Sequence, residues 1–163
     1  MQYKNSDIKR KPAAVPKAGE GKRGPEGHLG YLVRQASVAV RAAMEKALAD
    51  IDITPPQFSV LTMIVSYPGV SGADLARLTF LTPQTINVIV RNLERMEAIK
   101  KAADADHGRI LRLTATAKGQ ALLKQCRARV REVDDRLGAL LGRDEEPVVR
   151  RWLSAVGEAL GRG

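Results

Sequence analysis

The stretch from Ser71 to Glu97, S-G-A-D-L-A-R-L-T-F-L-T-P-Q-T-I-N-V-I-V-R-N-L-E-R-M-E, constrains this chain more than any other, because it reads as two helices joined by a tight turn. Ser71 with Asp74 three positions on resembles a capping box. It opens a short helix whose apolar face is Ala73, Leu75, Ala76 and Leu78. Thr79, Phe80 and Leu81 break that period. Thr82 is then a fresh N-cap, and Pro83 takes the first helical position, where its missing N–H costs nothing. Ile86, Ile89, Val90 and Leu93 follow at helical spacing and predict a buried face. The opposite face carries Gln84, Thr85, Asn87, Arg91 and Arg95. Amides, a hydroxyl and guanidinium groups pair with base edges and phosphates, and the free N–H groups of the helix start can hold a phosphate. An ordinary surface helix pair is the plainer alternative.

The next stretch favours the first reading. Ile99–Ala102 and Arg109–Leu113 read as two short antiparallel strands, and the polar tip Asp104–Gly108 closes the hairpin. A hairpin directly after a helix-turn-helix is a wing. Its basic residues Lys100, Lys101, Arg109 and Arg112 are placed to reach the DNA backbone or minor groove beside the site the helix reads.

At 163 residues the chain is long enough for one domain with a sizeable core. Its net charge of +9 favours a polyanionic partner without identifying one. Lone Cys126 rules out an intramolecular disulfide framework and suits a reducing cytoplasm. No apolar run is long enough to span a membrane, and the N-terminus lacks a signal core, so a cytoplasmic location is expected.

Four segments are expected. Residues 1–27 are basic, rich in Pro and Gly and without apolar periodicity, which predicts a flexible arm. Residues 28–53 hold a helix with a long apolar stripe that includes Leu29, Leu32, Val33, Val40, Met44 and Leu48; part of it is expected to face a second subunit. Residues 54–114 form the DNA-binding region. It opens on a helix capped by Thr54, with Phe58, Leu61, Ile64 and Val65 on its core side and Tyr67-Pro68-Gly69 at its end. Residues 115–163 hold two further helices. Thr116 caps the first, whose seam is Leu123, Cys126, Val130, Val133, Leu137 and Leu140, and Gly142 stops it. The second runs from Glu145 to Leu160; its Trp152 suits an anchor in a subunit interface or, equally, the chain's own core, with Leu153 and Val156 on the same apolar face. The fold class is therefore mainly α with a small β-wing: a winged helix-turn-helix domain plus a helical dimerisation region.

The segments T-P-P-Q-F-S-V-L (54–61), S-G-A-D-L-A-R-L-T (71–79), L-T-P-Q-T-I-N-V-I-V-R-N-L-E (81–94) and L-T-A-T-A-K-G (113–119) resemble, in order and spacing, the multiple-antibiotic-resistance regulator (MarR) family. The resemblance covers about residues 29–160. It implies a winged helix-turn-helix homodimer on pseudo-palindromic operators, joined through its first and last two helices and released from DNA by a small phenolic or aromatic acid. Carried across by position, Gln84, Thr85, Asn87 and Arg91 match the groove-reading face, Ser71 the start of the supporting helix and Arg109 the wing arginine. Val88 departs from the basic residue many relatives carry and Arg91 from an acid, so no operator sequence transfers. The wing is also about two residues short.

The expected function is a ligand-responsive transcriptional regulator, a repressor, with double-stranded DNA, a second copy of the chain and a small acid or its CoA thioester as partners, and no membrane, cofactor or metal. Its expected DNA contacts are Ser71, Thr82, Gln84, Thr85, Asn87, Arg91, Arg95, Lys100, Lys101, Arg109 and Arg112. Arg34, Arg41, Met63 and Tyr67 are the ligand candidates. Leu29, Leu32, Val33, Val133, Leu137, Trp152, Leu153 and Val156 are the dimer candidates. Two alternatives stand beside it: a peroxide sensor acting through Cys126, and an architectural DNA binder without sequence choice. An enzyme is not expected, because His28 and His107 lie far apart, Asp134 and Asp135 point different ways on a helix, and no zinc-ligand spacing or Gly-rich phosphate loop occurs.

Overall fold

The computed structural model describes residues 14–104 and 110–161. His107, Gly108 and Arg109, at the expected wing tip, lie outside the described residues. The described residues form two compact units that divide between Ala39 and Val40, and the boundary falls within the first long helix, α1 (Leu29–Leu48).

In the first unit, residues 14–28 run through successive turns ahead of α1. The Gly19 N–H donates to the Arg23 carbonyl at 3.1 Å, and the Arg23 guanidinium donates to the Pro16 carbonyl at 3.2 Å. A single 3-10 turn, Gly21–Arg23, lies between them. The expected helix start at His28 is met within one residue.

The second unit begins with the end of α1, where Leu48 is fully buried and Met44 packs on the core. A 3-10 turn and a left-handed Asp52 (φ 56°) end that helix. α2 (Pro55–Ser66) starts on a complete capping box: the Thr54 hydroxyl accepts from the Gln57 N–H, and the Gln57 side chain accepts from the Thr54 N–H at 2.8 Å. Val60, Leu61 and Ile64 are its buried residues. α3 (Gly72–Thr79) and α4 (Pro83–Arg95) follow, then α5 (Ala117–Gly138) and α6 (Glu145–Leu160).

Between α4 and α5 lies the hairpin, β2 (Ile99–Ala103) with β3 (Leu111–Ala115), pairing Ile99 with Ala115 through to Ala103 with Leu111. A third strand, β1 (Val70–Ser71), pairs antiparallel with β3, giving the order β1-β3-β2. Two residues are too few to show a strand period, so this element had no sequence signal. It fastens the start of α3 to the wing.

The core draws on every element of this unit except α6. Leu61, Ile64, Leu75, Ile86, Leu93, Leu123 and Cys126 are the large side chains buried within it, joined by Ile89, Val90, Ile99 and Leu113. Each such aliphatic chain contributes roughly 1.5–3 kcal/mol relative to an exposed one. Gly119 shows how closely α5 is seated: a Cβ there would stand 1.9 Å from the Ala98 carbonyl oxygen. That carbonyl also accepts from the Thr116 N–H at 3.0 Å, and the Thr116 hydroxyl donates to the Glu97 carbonyl at 2.7 Å.

Expectations for two helices are corrected. On α3 only Leu75 is buried, while Ala73 and Leu78 are exposed, because an eight-residue helix resting on α2 and α4 turns only a narrow arc inward. α5 ends at Gly138 rather than at Gly142, and its seam closes only as far as Val133; Leu137 and Leu140 are exposed. Val133, one of the expected dimer residues, is buried within the single chain, whereas Leu137 is exposed. Among the described residues no helix is long and apolar enough to cross a membrane.

Candidate nucleic-acid interface

The site is assembled from three short signals. The Ser71 hydroxyl accepts from the Asp74 N–H at 3.2 Å, and the Asp74 carboxylate accepts from the Ser71 hydroxyl at 2.6 Å and from its N–H at 3.3 Å. These bonds, with a smaller contribution from the Arg77 guanidinium, hold the Asp74 carboxyl below the usual carboxylate range. α3 then ends on Phe80, whose backbone is left-handed (φ 55°). A non-glycine residue adopts that conformation at a cost, and here it sets the angle between the two helices.

Thr82 opens α4. Its hydroxyl accepts from the Thr85 N–H at 3.2 Å and lies 2.9 Å from the Thr85 hydroxyl. Both threonines are therefore engaged in the cap. Ile86, Ile89, Val90 and Leu93 are buried, as the periodicity predicts. Gln84, Asn87, Arg91 and Arg95 are exposed on the outer side, and so is Val88.

The basic residues divide into two groups. Arg91 and Lys100 are exposed and make no ion pair among the described residues. Arg95 reaches Asn92 at 3.5 Å, a contact too long to hold it. Lys101 is paired with Glu94 of α4 at 2.5 Å, which ties the wing to the helix. Arg112 is half-buried: its guanidinium pairs with Asp104 and donates to the Gly69 carbonyl at 3.4 Å. It stitches β3 to the base of the hairpin and to the turn before β1. The sequence showed two wing cations here and gave no sign of that bracing.

Between α4 and the wing lies a groove of about 420 Å³, with Ile86, Val90, Leu111 and Leu113 at its apolar floor and Asn87, Arg91 and Lys101 at its rim. A second groove, of about 430 Å³, sits where α1 ends and α2 begins; Arg41, Glu45, Leu48 and Ile53 line it. Arg41 is bonded to Glu45 at 2.8 Å. Neither Met63, which packs on the core, nor the exposed Tyr67 at the end of α2 lines that groove. Arg34 is an exposed residue of the first unit.

Of the interface anchors on α6, Trp152 and Leu153 are exposed and Val156 is half-buried. On the first unit's part of α1, Leu29 is exposed and Leu32 and Val33 are half-buried. Cys126 is fully buried, and that burial pushes its thiol above the ordinary cysteine value.

A capped helix pair, a left-handed corner between its members and a hairpin braced against the second helix together make a winged helix-turn-helix protein. The chain belongs to the MarR family. The family model matches residues 51–110. Over 129 residues, 79% of this chain and 93% of the relative, it is 37% identical to the HTH-type transcriptional repressor Rv2887 of Mycobacterium tuberculosis. The solved structure of Rv2887 with p-aminosalicylic acid superposes with a TM-score of 0.65 at 35% identity, covering 80% of this chain and 99% of that one. The transcriptional repressor CouR bound to a 23-mer DNA duplex gives a TM-score of 0.76 at 26% identity, covering 88% and 99%.

Proposed function

We propose that this chain is a transcriptional repressor that binds a pseudo-palindromic DNA operator as a homodimer and is released by a small aromatic acid or its CoA thioester. The observation that carries the reading is the two-sided character of α4. Its inner face is fixed in the core, and its outer face presents Gln84, Asn87, Arg91 and Arg95 with, among the described residues, no partner strong enough to occupy them. A rigid helix that holds amides and guanidinium groups in water is built to meet base edges and phosphates. The DNA-bound CouR supports this role for the fold, and the p-aminosalicylic acid complex of Rv2887 supports an aromatic acid as effector.

Ser71 and Thr82 act at the helix starts, where the backbone N–H groups face a phosphate. Thr85 contributes through the cap it shares with Thr82. Lys100 and Arg109 supply wing contacts, and Lys101 and Arg112 position the wing. The arm of residues 1–27 adds non-specific attraction to DNA. Arg34, Arg41, Met63 and Tyr67 remain the ligand candidates, with Arg41 at the groove where α1 meets α2. A ligand can release DNA only if it prefers a spacing of the two reading heads that the operator does not fit. No catalytic role is proposed. The peroxide alternative is disfavoured by the burial of Cys126, because a buried thiol held protonated is a poor nucleophile toward oxidant.

The test is selection of bound sequences from a random duplex pool at near-physiological salt with excess competitor. The reading predicts enrichment of an inverted repeat with half-sites about ten base pairs apart. A pool without a motif, bound with a steep salt dependence alone, would favour the architectural alternative.

A further inference from the structure

We propose that Val88 is a specificity-determining residue that reads the 5-methyl group of a thymine in each half-site. The inference rests on the reading of α4 as the helix that enters the major groove.

Val88 is 48% exposed in the middle of α4. At about 100° per residue, Gln84, Val88, Arg91 and Arg95 fall in one narrow stripe along the helix, with Asn87 at its edge. The buried residues Ile86, Ile89, Val90 and Leu93 lie on the far side. Val88 therefore occupies the centre of the outward face, with every neighbour on that stripe polar or charged. In water this is a poor place for valine: its branched side chain lowers helix propensity and gains nothing from burial.

Inside a major groove the same side chain has one good partner. Thymine alone among the four bases presents a methyl group there, and it is read by apolar contact. Valine has no donor or acceptor, so against cytosine it would leave the exocyclic amine without a hydrogen bond. Its short, stiff side chain reaches only a group near the helix axis and loses little rotamer freedom on contact. The longer Gln84 and Arg91 flank it and reach past it to adjacent base pairs. The three together describe a half-site in which a thymine sits between hydrogen-bonded positions.

The experiment takes the duplex recovered by selection and replaces each thymine singly by uracil, which removes the methyl group and nothing else. Affinities are measured for the wild type and for Val88→Ala, a substitution at an exposed helical site that keeps the fold. One uracil position per half-site is expected to weaken the wild type about fourfold, the worth of a buried methyl. The same position should change Val88→Ala by less than about half that factor. An equal loss in both proteins, or no sensitive thymine at all, overturns the assignment while leaving the groove reading intact. A pool that yields no motif overturns the groove reading, and this assignment falls with it.

Discussion

At the residue scale, the tightest constraint is Gly119. Its place in the first turn of α5 follows from the T-A-T-A-K-G segment, but the sequence gives no reason for a glycine there. The reason lies across the structure, in the Ala98 carbonyl that leaves no room for a Cβ. We predict that Gly119→Ala destabilises the fold by about 1–3 kcal/mol or more, read as a lower denaturant midpoint. An unchanged midpoint would mean that α5 is not seated against Ala98. Asn87, Arg91 and the threonine cap were legible because cap chemistry and helical period are local. The commitment of Arg112 to Asp104 and Gly69 was not, since Arg112 and Gly69 lie far apart in sequence and meet only when β1 joins the sheet.

At the element scale, the starts of α2, α3, α4 and α5 all fall where the sequence places them, because each cap is a hydroxyl accepting from an N–H three residues on. Helix ends were harder to place. α5 stops at Gly138, before the glycine that looked like its terminator, because its charged last turns are exposed and nothing among the described residues packs over them. The Ser71–Asp74 box also carries a pH dependence. Asp74 has its carboxyl pKa lowered in the fold, so the unfolded chain binds more protons at acid pH and stability rises with pH across that range. The contribution is complete above the unfolded carboxyl value of about 3.9 and is lost as the pH falls through the lower folded value. Wild-type protein should therefore lose stability more steeply below about pH 4 than Asp74→Asn, in denaturant titrations repeated across pH. Parallel curves would remove the cap from the account.

At the scale of the whole molecule, the question is what covers α6. The helix has no buried residue, and Trp152, Leu153 and Leu160 stand exposed, with Leu137 on α5. Their periodicity marked an apolar face in the sequence, but periodicity alone cannot say whether the cover is the same chain or another. We infer that it is a second copy. Leu153→Glu should then shift the protein from dimer toward monomer in sedimentation equilibrium and weaken operator binding, because one head supplies only a few base contacts. A dimer of unchanged strength would place the interface elsewhere.

The central claim is that the outer face of α4 chooses the sequence this protein binds. Its most direct test is to run the duplex selection side by side with the wild type and Arg91→Ala, an exposed substitution that leaves the core untouched. The wild type should enrich an inverted repeat. The variant should return the same repeat with discrimination lost at one base pair per half-site, equivalent to about 1–3 kcal/mol. The same motif with full discrimination at every position, or uniform weakening across all sequences, would contradict the claim and reduce Arg91 to a phosphate contact.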